Sequence, residues 1–303
     1  MSRTRKARTR NRRPAADASR AGARTVALAV LWTGTFVAAA YGLHQLVPYV
    51  RTVNTAPMRL EWTGLPRWLQ DDYWSHILKD LEQRIALDPA ADPYDRRVCP
   101  YVAERLAGSA WIERVRQVTK LQDGRVQISA EFRKPLAMIE RDGIVHLVDS
   151  SGVRLPESWY ARSANRAGWF VIEGVRAHPP APGERWVGRD VQAGLRLVRF
   201  LASAENSGRL PFRKEIRAID VGNVGGRLEP RAGQLRIRTT DPDCVIHWGL
   251  PPGEEAGVEA DARQKLANLS RLYSANGMRF PSRPIDVRPE DGILLGQPPR
   301  ADK

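Results

Sequence analysis

The sequence predicts a mixed α+β fold: a single membrane-spanning helix near the N-terminus, a β-α-α-β-β domain, and a second β-rich domain with two helices. Two observations lead to this prediction. Residues 25–50 form an uncharged, mostly apolar segment. Beyond it, apolar residues recur at helical spacing in four segments, and in several others they alternate with polar residues as in half-buried strands.

The uncharged segment lies between Arg24 and Arg51. As a helix it would measure ~39 Å, which exceeds the ~30 Å hydrocarbon core of a bilayer. Residues 1–24 hold nine basic residues and one acidic residue. Because basic flanks stay on the cytoplasmic side, we expect residues 1–24 to be a disordered cytoplasmic tail. Residues 25–50 would then span the membrane, and the remaining chain would lie outside the cytoplasm.

Three other interpretations of this region stay open. A cleaved signal peptide would use the alanines at 38–40, but such peptides have a shorter apolar core and here apolar residues continue to Val47. A buried core helix fits less well, because arginines flank the segment on both sides. A nucleic-acid-binding arm is the third. The tail carries +8 of the net charge of +14, however, and the other basic residues are scattered among acids.

The first domain is predicted at 58–155, after a linker at 51–57. Strands are expected where apolar and polar residues alternate, and helices where apolar residues recur every three or four positions. Asp-Gly pairs mark the turns of two hairpins. The predicted elements are a strand at 58–62, helices at 74–85 and 98–107, and strands at 112–121, 126–132, 136–140 and 144–148.

The second domain is predicted at 156–295, before a short tail at 296–303. A polar, proline-rich zone at 156–182 interrupts the pattern and holds one short strand. On the last helix of this domain, Lys265 is expected on the exposed face. The predicted elements are the short strand at 169–172, a helix from 188, strands at 216–221, 235–239 and 245–248, a helix at 258–273, and strands at 285–288 and 293–295.

Catalytic and metal-binding motifs are missing from the sequence. The five histidines do not have the spacing of a zinc helix, and neither a GxSxG nor a phosphate-binding glycine loop occurs. Cys99 and Cys244 lie far apart. An outward-facing compartment would permit a disulfide between them, although two separate thiols are favoured. We expect no catalytic residue, metal, cofactor or small-molecule substrate, and a binding or scaffolding role.

The segment 111–155 resembles the end of a POTRA domain in the FtsQ/DivIB family of bacterial cell-division proteins. The resemblance rests on the basic-proline pair Lys134-Pro135 and on the run LVDSSG, which includes Asp149 and Gly152. The C-terminal half adds the order His247-Trp248-Gly249, the helix at 258–273 and the run IDVR at 285–288. Together the matches cover most of residues 58–295.

The resemblance implies a non-enzymatic, single-pass scaffold in the inner membrane, at the division septum. Such a scaffold recruits other single- and multi-span membrane proteins of the divisome. In the family, the last strands recruit a small membrane-anchored coiled-coil protein by strand addition. The implied partner-binding residues are Arg288, Gly292, Ile293, Leu294 and Leu295.

Pro289 stands where the family usually has tyrosine. Because proline lacks an N–H group, it cannot donate to a strand ladder, and the contact is expected at 293–295 instead. The competing interpretation is that 293–295 is only a core strand. Two further functions also compete: a POTRA-bearing component of envelope secretion or transport, and a membrane-anchored envelope enzyme.

Overall fold

A computed structural model describes residues 15–53, 58–87, 95–121, 123–162, 168–230, 232–255, 257–290 and 292–296. It has the mixed α+β composition that the sequence predicts. One apolar helix precedes two β-sheets and four further α-helices.

The first helix, α1, spans Ala15–Val53. Its segment Val26–Leu46 is long and apolar enough to cross a membrane, and none of it is buried within the protein. It is therefore a candidate membrane anchor or signal sequence. The helix also includes residues 15–24, where we expected disorder, because alanine and arginine there are strong helix formers. The rest of the tail, at 1–14, and the linker residues 54–57 lie outside the described residues.

The next five strands and α-helices have the predicted β-α-α-β-β order, with two short 3-10 helices between the first strand and the first of these helices. They are β1 (Arg59–Thr63), α2 (Ser75–Ile85), α3 (Val98–Ala107), β2 (Ile112–Lys120) and β3 (Arg125–Phe132). The three strands form one sheet in the order β1-β3-β2, with β1 parallel and β2 antiparallel to β3. Both helices bury the apolar stripe that their spacing predicts. These buried residues are Ile77, Leu81 and Ile85 on α2, and Val98, Val102 and Leu106 on α3.

The remaining strands are β4 (Pro135–Arg141), β5 (Ile144–Asp149), β6 (Arg154–Tyr160), β7 (Phe170–Glu173), β8 (Ile216–Asp220), β9 (Leu235–Thr239), β10 (Val245–Gly249), β11 (Ile285–Asp286) and β12 (Leu294–Leu295). They form a nine-stranded sheet in the order β12-β11-β10-β9-β8-β7-β4-β5-β6. Two helices, α4 (Arg189–Asn206) and α5 (Ala262–Ala275), share a core with one face of this sheet. Helix α5 starts four residues later than predicted, because the Asp261 carboxylate caps it by accepting the Gln264 N–H.

The change from one sheet to the other lies between Phe132 and Pro135, not at 155 as the sequence suggested. Strand β4 pairs in parallel with β7, with Ala137 opposite Phe170, so the β4–β5 hairpin belongs to the nine-stranded sheet. Hairpin signals identify two paired strands but not the sheet that they join. The zone predicted as irregular from 156 also contains most of β6, where Pro156 is tolerated because β6 is an edge strand.

The two sheets share an apolar core. On the face of the nine-stranded sheet opposite α4 and α5, Met138, Leu147 and Val171 pack into the core of the first domain. Trp74 stands at the junction, with its ring edge-on to Trp111 at 5.8 Å and to Trp169 at 6.2 Å. Such edge-to-face pairs stabilise contacts by about 0.5–1.5 kcal/mol beyond burial. The two domains therefore meet through a packed apolar interface.

The buried His146 on β5 makes stability depend on pH. Its Nδ1 lies 2.8 Å from the Ser158 hydroxyl, and burial, together with the charge of Arg154, lowers the pKa of His146 to about 4. The unfolded chain binds a proton near pH ~6.5. The native state therefore keeps its full stability above pH ~6.5 and becomes less stable as the pH falls. At pH ~4 the loss in free energy of unfolding amounts to about 3 kcal/mol.

Denaturant unfolding of His146→Gln against the native chain tests this. The native chain should lose stability more steeply than the variant between pH 6.5 and 4. Equal slopes for the two proteins would show that His146 is protonated as readily when folded as when unfolded.

Candidate functional site

The β12 edge is the outermost strand at one end of the nine-stranded sheet. Strand β12 pairs antiparallel with β11, so that Leu295 lies opposite Ile285 and Leu294 opposite Asp286. Strand β11 in turn pairs in parallel with β10. In the described part of the chain, no backbone hydrogen bond reaches the outer side of β12. The sheet therefore ends there in an open edge.

The outward backbone groups of this edge belong to Ile293 and Leu295. The Gly296 N–H donates to the Pro284 carbonyl at 2.7 Å, across the ladder to β11. Along an antiparallel strand the hydrogen-bonding direction alternates from one residue to the next. Leu294 therefore bonds inward to β11, while the N–H and C=O groups of Ile293 and Leu295 point away from the sheet.

The side chains of the edge lie on two faces. Leu295 shares the helix-covered face with Ile285, and Ile293 packs partly against the same core. Leu294 lies on the opposite face and is 61% exposed, while Leu295 is 40% exposed. The interpretation of 293–295 as a simple core strand is wrong for the two leucines. The edge offers apolar side chains on both faces together with free backbone groups.

The connection between β11 and β12 keeps Pro289 out of the ladder. Pro289 lies beyond the last residue of β11, and its carbonyl accepts the Gly292 N–H at 3.5 Å. Gly292 has φ +138°, which other residues rarely adopt, and it turns the chain back into β12. The missing N–H of Pro289 therefore does not interrupt the strand edge.

Arg288 is held by its own chain rather than presented at the edge. Its guanidinium forms a two-pronged ion pair with Asp286, including an Nη2–Oδ2 distance of 2.6 Å. These hydrogen bonds raise the pKa of Arg288. Burial raises the pKa of Asp286, but the bonds and charge of Arg288 outweigh it and leave that pKa below its ordinary value. This pair fixes the end of β11, and the contact of Arg288 with a partner stays a prediction.

A buried ion pair supports the same strand ends, and sequence reasoning missed it. Lys265 is fully buried, not exposed as predicted, and its Nζ lies 2.8 Å from Glu259 Oε2. The same oxygen accepts the Leu250 N–H at 2.9 Å, at the end of β10. The next residue, Ala260, donates its N–H to the Arg288 carbonyl. The pair thus fixes the start of α5 against β10 and β11.

Gly249 at the end of β10 makes room for this pair. It has φ +92°, and a Cβ there would overlap the Glu259 carboxylate. The sequence signal was present: a glycine at a strand end and a lysine next to the apolar residue Leu266. It did not show which face of the helix the lysine would occupy.

The residues of the basic-proline pair and of the LVDSSG run lie at the junction between the two sheets. Pro135 opens β4 opposite Asp149, whose carboxylate accepts the N–H groups of Ser151 and Val153 and pairs with Arg133 at 3.0 Å. Gly152 has φ +82° and lies against Leu195, with no space for a side chain. Lys134 is exposed. Apart from Lys134, these residues organise a turn and lie away from the open edge.

The opposite edge of the nine-stranded sheet is covered at the start of β6. On β6, the Arg154 N–H donates to the Glu184 carbonyl, and the Arg154 carbonyl accepts the Gly183 N–H. Pro156 removes one further donor from that strand. Natural sheets protect their edges in this way. Of the two edges of this sheet, β12 is the one without such cover in the described part of the chain.

A large cleft lies elsewhere, beside the ends of β4, β7 and β8, with a volume of about 1520 Å³. Five acidic and five basic residues line it. Several of them are paired, such as Arg213 with Glu205 at 3.3 Å and Arg238 with Asp220 at 3.4 Å. Among the described residues, no group of three or more His, Cys, Asp or Glu side chains is placed to hold a metal ion. Cys99 and Cys244 are both free thiols.

Comparison with models of known protein families gives no match for this chain. A search among curated proteins finds none that matches it either.

Proposed function

We propose that this chain is a non-enzymatic, single-pass membrane scaffold of the bacterial cell-division machinery. It holds other divisome membrane proteins at the septum by adding an extended segment of a partner to β12. The observation that carries the proposal is the open β12 edge, with two outward backbone positions flanked by exposed leucines. The resemblance of residues 58–295 to the FtsQ/DivIB family supports it.

Strand addition uses backbone hydrogen bonds for affinity and alternate side chains for selectivity. Ile293 and Leu295 offer an N–H and a C=O each. Every bond formed contributes about 0.5–1.5 kcal/mol. Exposed Leu294 and Leu295 would add apolar contact on the two faces of the added strand. A two-residue edge is short, so the contact needs help from other surfaces or from a raised local concentration.

The N-terminal helix supplies that concentration in this proposal. If α1 is an anchor rather than a cleaved signal, the first domain begins at Arg59, thirteen residues after the end of the apolar segment at Leu46. Confining two partners to one surface makes their encounter effectively intramolecular. The β-α-α-β-β domain, interpreted as a POTRA domain, would then lie nearest the membrane and present a second surface to other membrane proteins.

Localisation of an N-terminally tagged full-length chain in dividing cells tests this function. The chain should form a band at midcell. A matched chain that keeps residues 1–57 but lacks 58–296 should spread over the whole membrane, because the partner-binding domains are gone. An even distribution of the full-length chain would contradict a septal scaffold.

A POTRA-bearing component of envelope transport is the second candidate. The observation that favours it is β2, a nine-residue strand at the edge of the three-stranded sheet. Its outer side is a longer potential docking edge than β12. The same localisation experiment separates the two functions, since a transport component has no reason to gather at midcell.

A further inference from the structure

A surface groove lies between α4 and α5, on the helix-covered side of the nine-stranded sheet. It has a volume of about 640 Å³. Its apolar lining includes Phe200 on α4 and Leu266 and Ala267 on α5. The Phe200 ring packs 5.9 Å from the buried Trp248 of β10, which keeps this ring in place. The groove therefore offers an apolar floor that is open to solvent.

The charge of the groove has one sign. Arg209 and Arg263 line it, both exposed, and none of its lining residues in the described ranges is acidic. Among the described residues, neither arginine has a carboxylate within salt-bridge distance, and the Arg209 guanidinium donates only to the Ser207 hydroxyl, at 3.2 Å. Arg196, on helix α4, is by contrast paired with Glu254. Two cations are thus available beside an apolar groove.

We propose that this groove binds an amphipathic helix with acidic flanks, contributed by a partner protein. Its two long walls are the helices α4 and α5, whose backbone groups are already bonded within each helix, and the loop 208–211 closes one end. An extended segment would find few backbone partners there, whereas a helix satisfies its own. Apolar residues of the bound helix at positions i, i+3, i+4 and i+7 fill the groove, as in other helix-in-groove complexes. Its Glu or Asp side chains pair with Arg209 and Arg263.

The size of the groove agrees with this occupant. The α5 wall runs from Arg263 to Ser270, two turns and ~10 Å of helix. A bilayer surface is flat and would touch the rim without filling the floor. The groove is a binding site separate from the proposed strand edge, because different residues line it and it would bind a helix rather than a strand.

A pair of designed peptides tests the inference on the full-length chain in phosphatidylcholine nanodiscs. The probes are 15-residue amphipathic helices with the same leucine stripe and either Glu or Lys flanks. The Glu peptide should bind, and Arg209→Glu combined with Arg263→Glu should weaken it at least tenfold while strengthening the Lys peptide. Ala267→Trp should also weaken the Glu peptide, because the indole fills the groove.

Two controls keep the test specific. Arg59→Glu reverses an exposed charge on the first domain and should leave binding unchanged. Leu295→Pro should also leave it unchanged, so that failure of the strand edge and failure of the groove remain distinguishable. An unfolding transition for each variant confirms that it folds.

Equal binding of both peptides, or a Glu peptide insensitive to Ala267→Trp in a folded variant, would overturn the proposal. Arginine-dependent binding of phosphatidylglycerol vesicles without binding of the Glu peptide would also overturn it, in favour of a lipid site.

Discussion

Replacing Glu259 with leucine is expected to lower the free energy of unfolding of the second domain by about 3–5 kcal/mol. The substitution leaves the Lys265 ammonium fully buried without its carboxylate partner, and the Leu250 N–H without its acceptor. Removing one member of a buried ion pair is costly, because the remaining charge has lost its water and gains nothing in return. Denaturant unfolding of the full-length chain, followed by Trp fluorescence, measures the change.

The double variant Glu259→Leu with Lys265→Met separates pairing from packing. Removing both charges should recover most of the lost stability, since an apolar pair of similar volume often replaces a buried ion pair without cost. Asp80→Ala is the matched control on an exposed pair with Arg84, and it should change stability by less than about 0.5 kcal/mol. A double variant as unstable as Glu259→Leu would show that Lys265 does not depend on Glu259.

Local patterns predicted the elements of this fold more accurately than their assembly. The stripe of Val98, Val102 and Leu106, with Gly108 after it, predicted α3 at the bounds that the structure has. The alternation from Val126 to Phe132 likewise predicted β3. These signals depend only on residues close in sequence, and here no tertiary contact overrides them.

The assembly depended on pairings between residues far apart in sequence. The β4–β5 hairpin was assigned to the first domain, because its sequence does not indicate the parallel pairing of Ala137 with Phe170. Lys265 was expected in solvent, because the sequence does not show that Glu259 would pair with it. That contact depends on Gly249, where a side chain would overlap the Glu259 carboxylate. The same limit applies to the candidate site. The apolar triplet at 293–295 was recognised in the sequence. Whether it formed a core strand or the edge of a sheet depended on the strand order, which the sequence does not show.

The second large effect is expected at the open edge itself. Leu295→Pro removes one of the two outward N–H groups of this edge while leaving the inward bond of Leu294 to β11 intact. Proline is compatible with an edge strand whose N–H faces solvent, and it favours extended backbone in the residue before it. The fold should therefore persist while a partner strand loses a hydrogen bond and meets the pyrrolidine ring. We expect partner binding to weaken by about tenfold or more.

Leu295→Ala is the matched variant, because it shortens the side chain and keeps the N–H. If backbone pairing dominates the contact, the Leu295→Ala variant should bind the partner nearly as well as the native chain. A larger loss with alanine than with proline would mean that side-chain packing, not strand addition, holds the complex together.

The most direct measurement is the amount of membrane protein that copurifies with the tagged full-length chain from dividing cells, compared among the native chain, Leu295→Pro and Leu295→Ala. We expect Leu295→Pro to reduce the amount of a specific copurifying partner at least tenfold with an unchanged unfolding transition, and Leu295→Ala to retain that partner. A partner that copurifies equally with the proline variant and the native chain would contradict strand addition at β12.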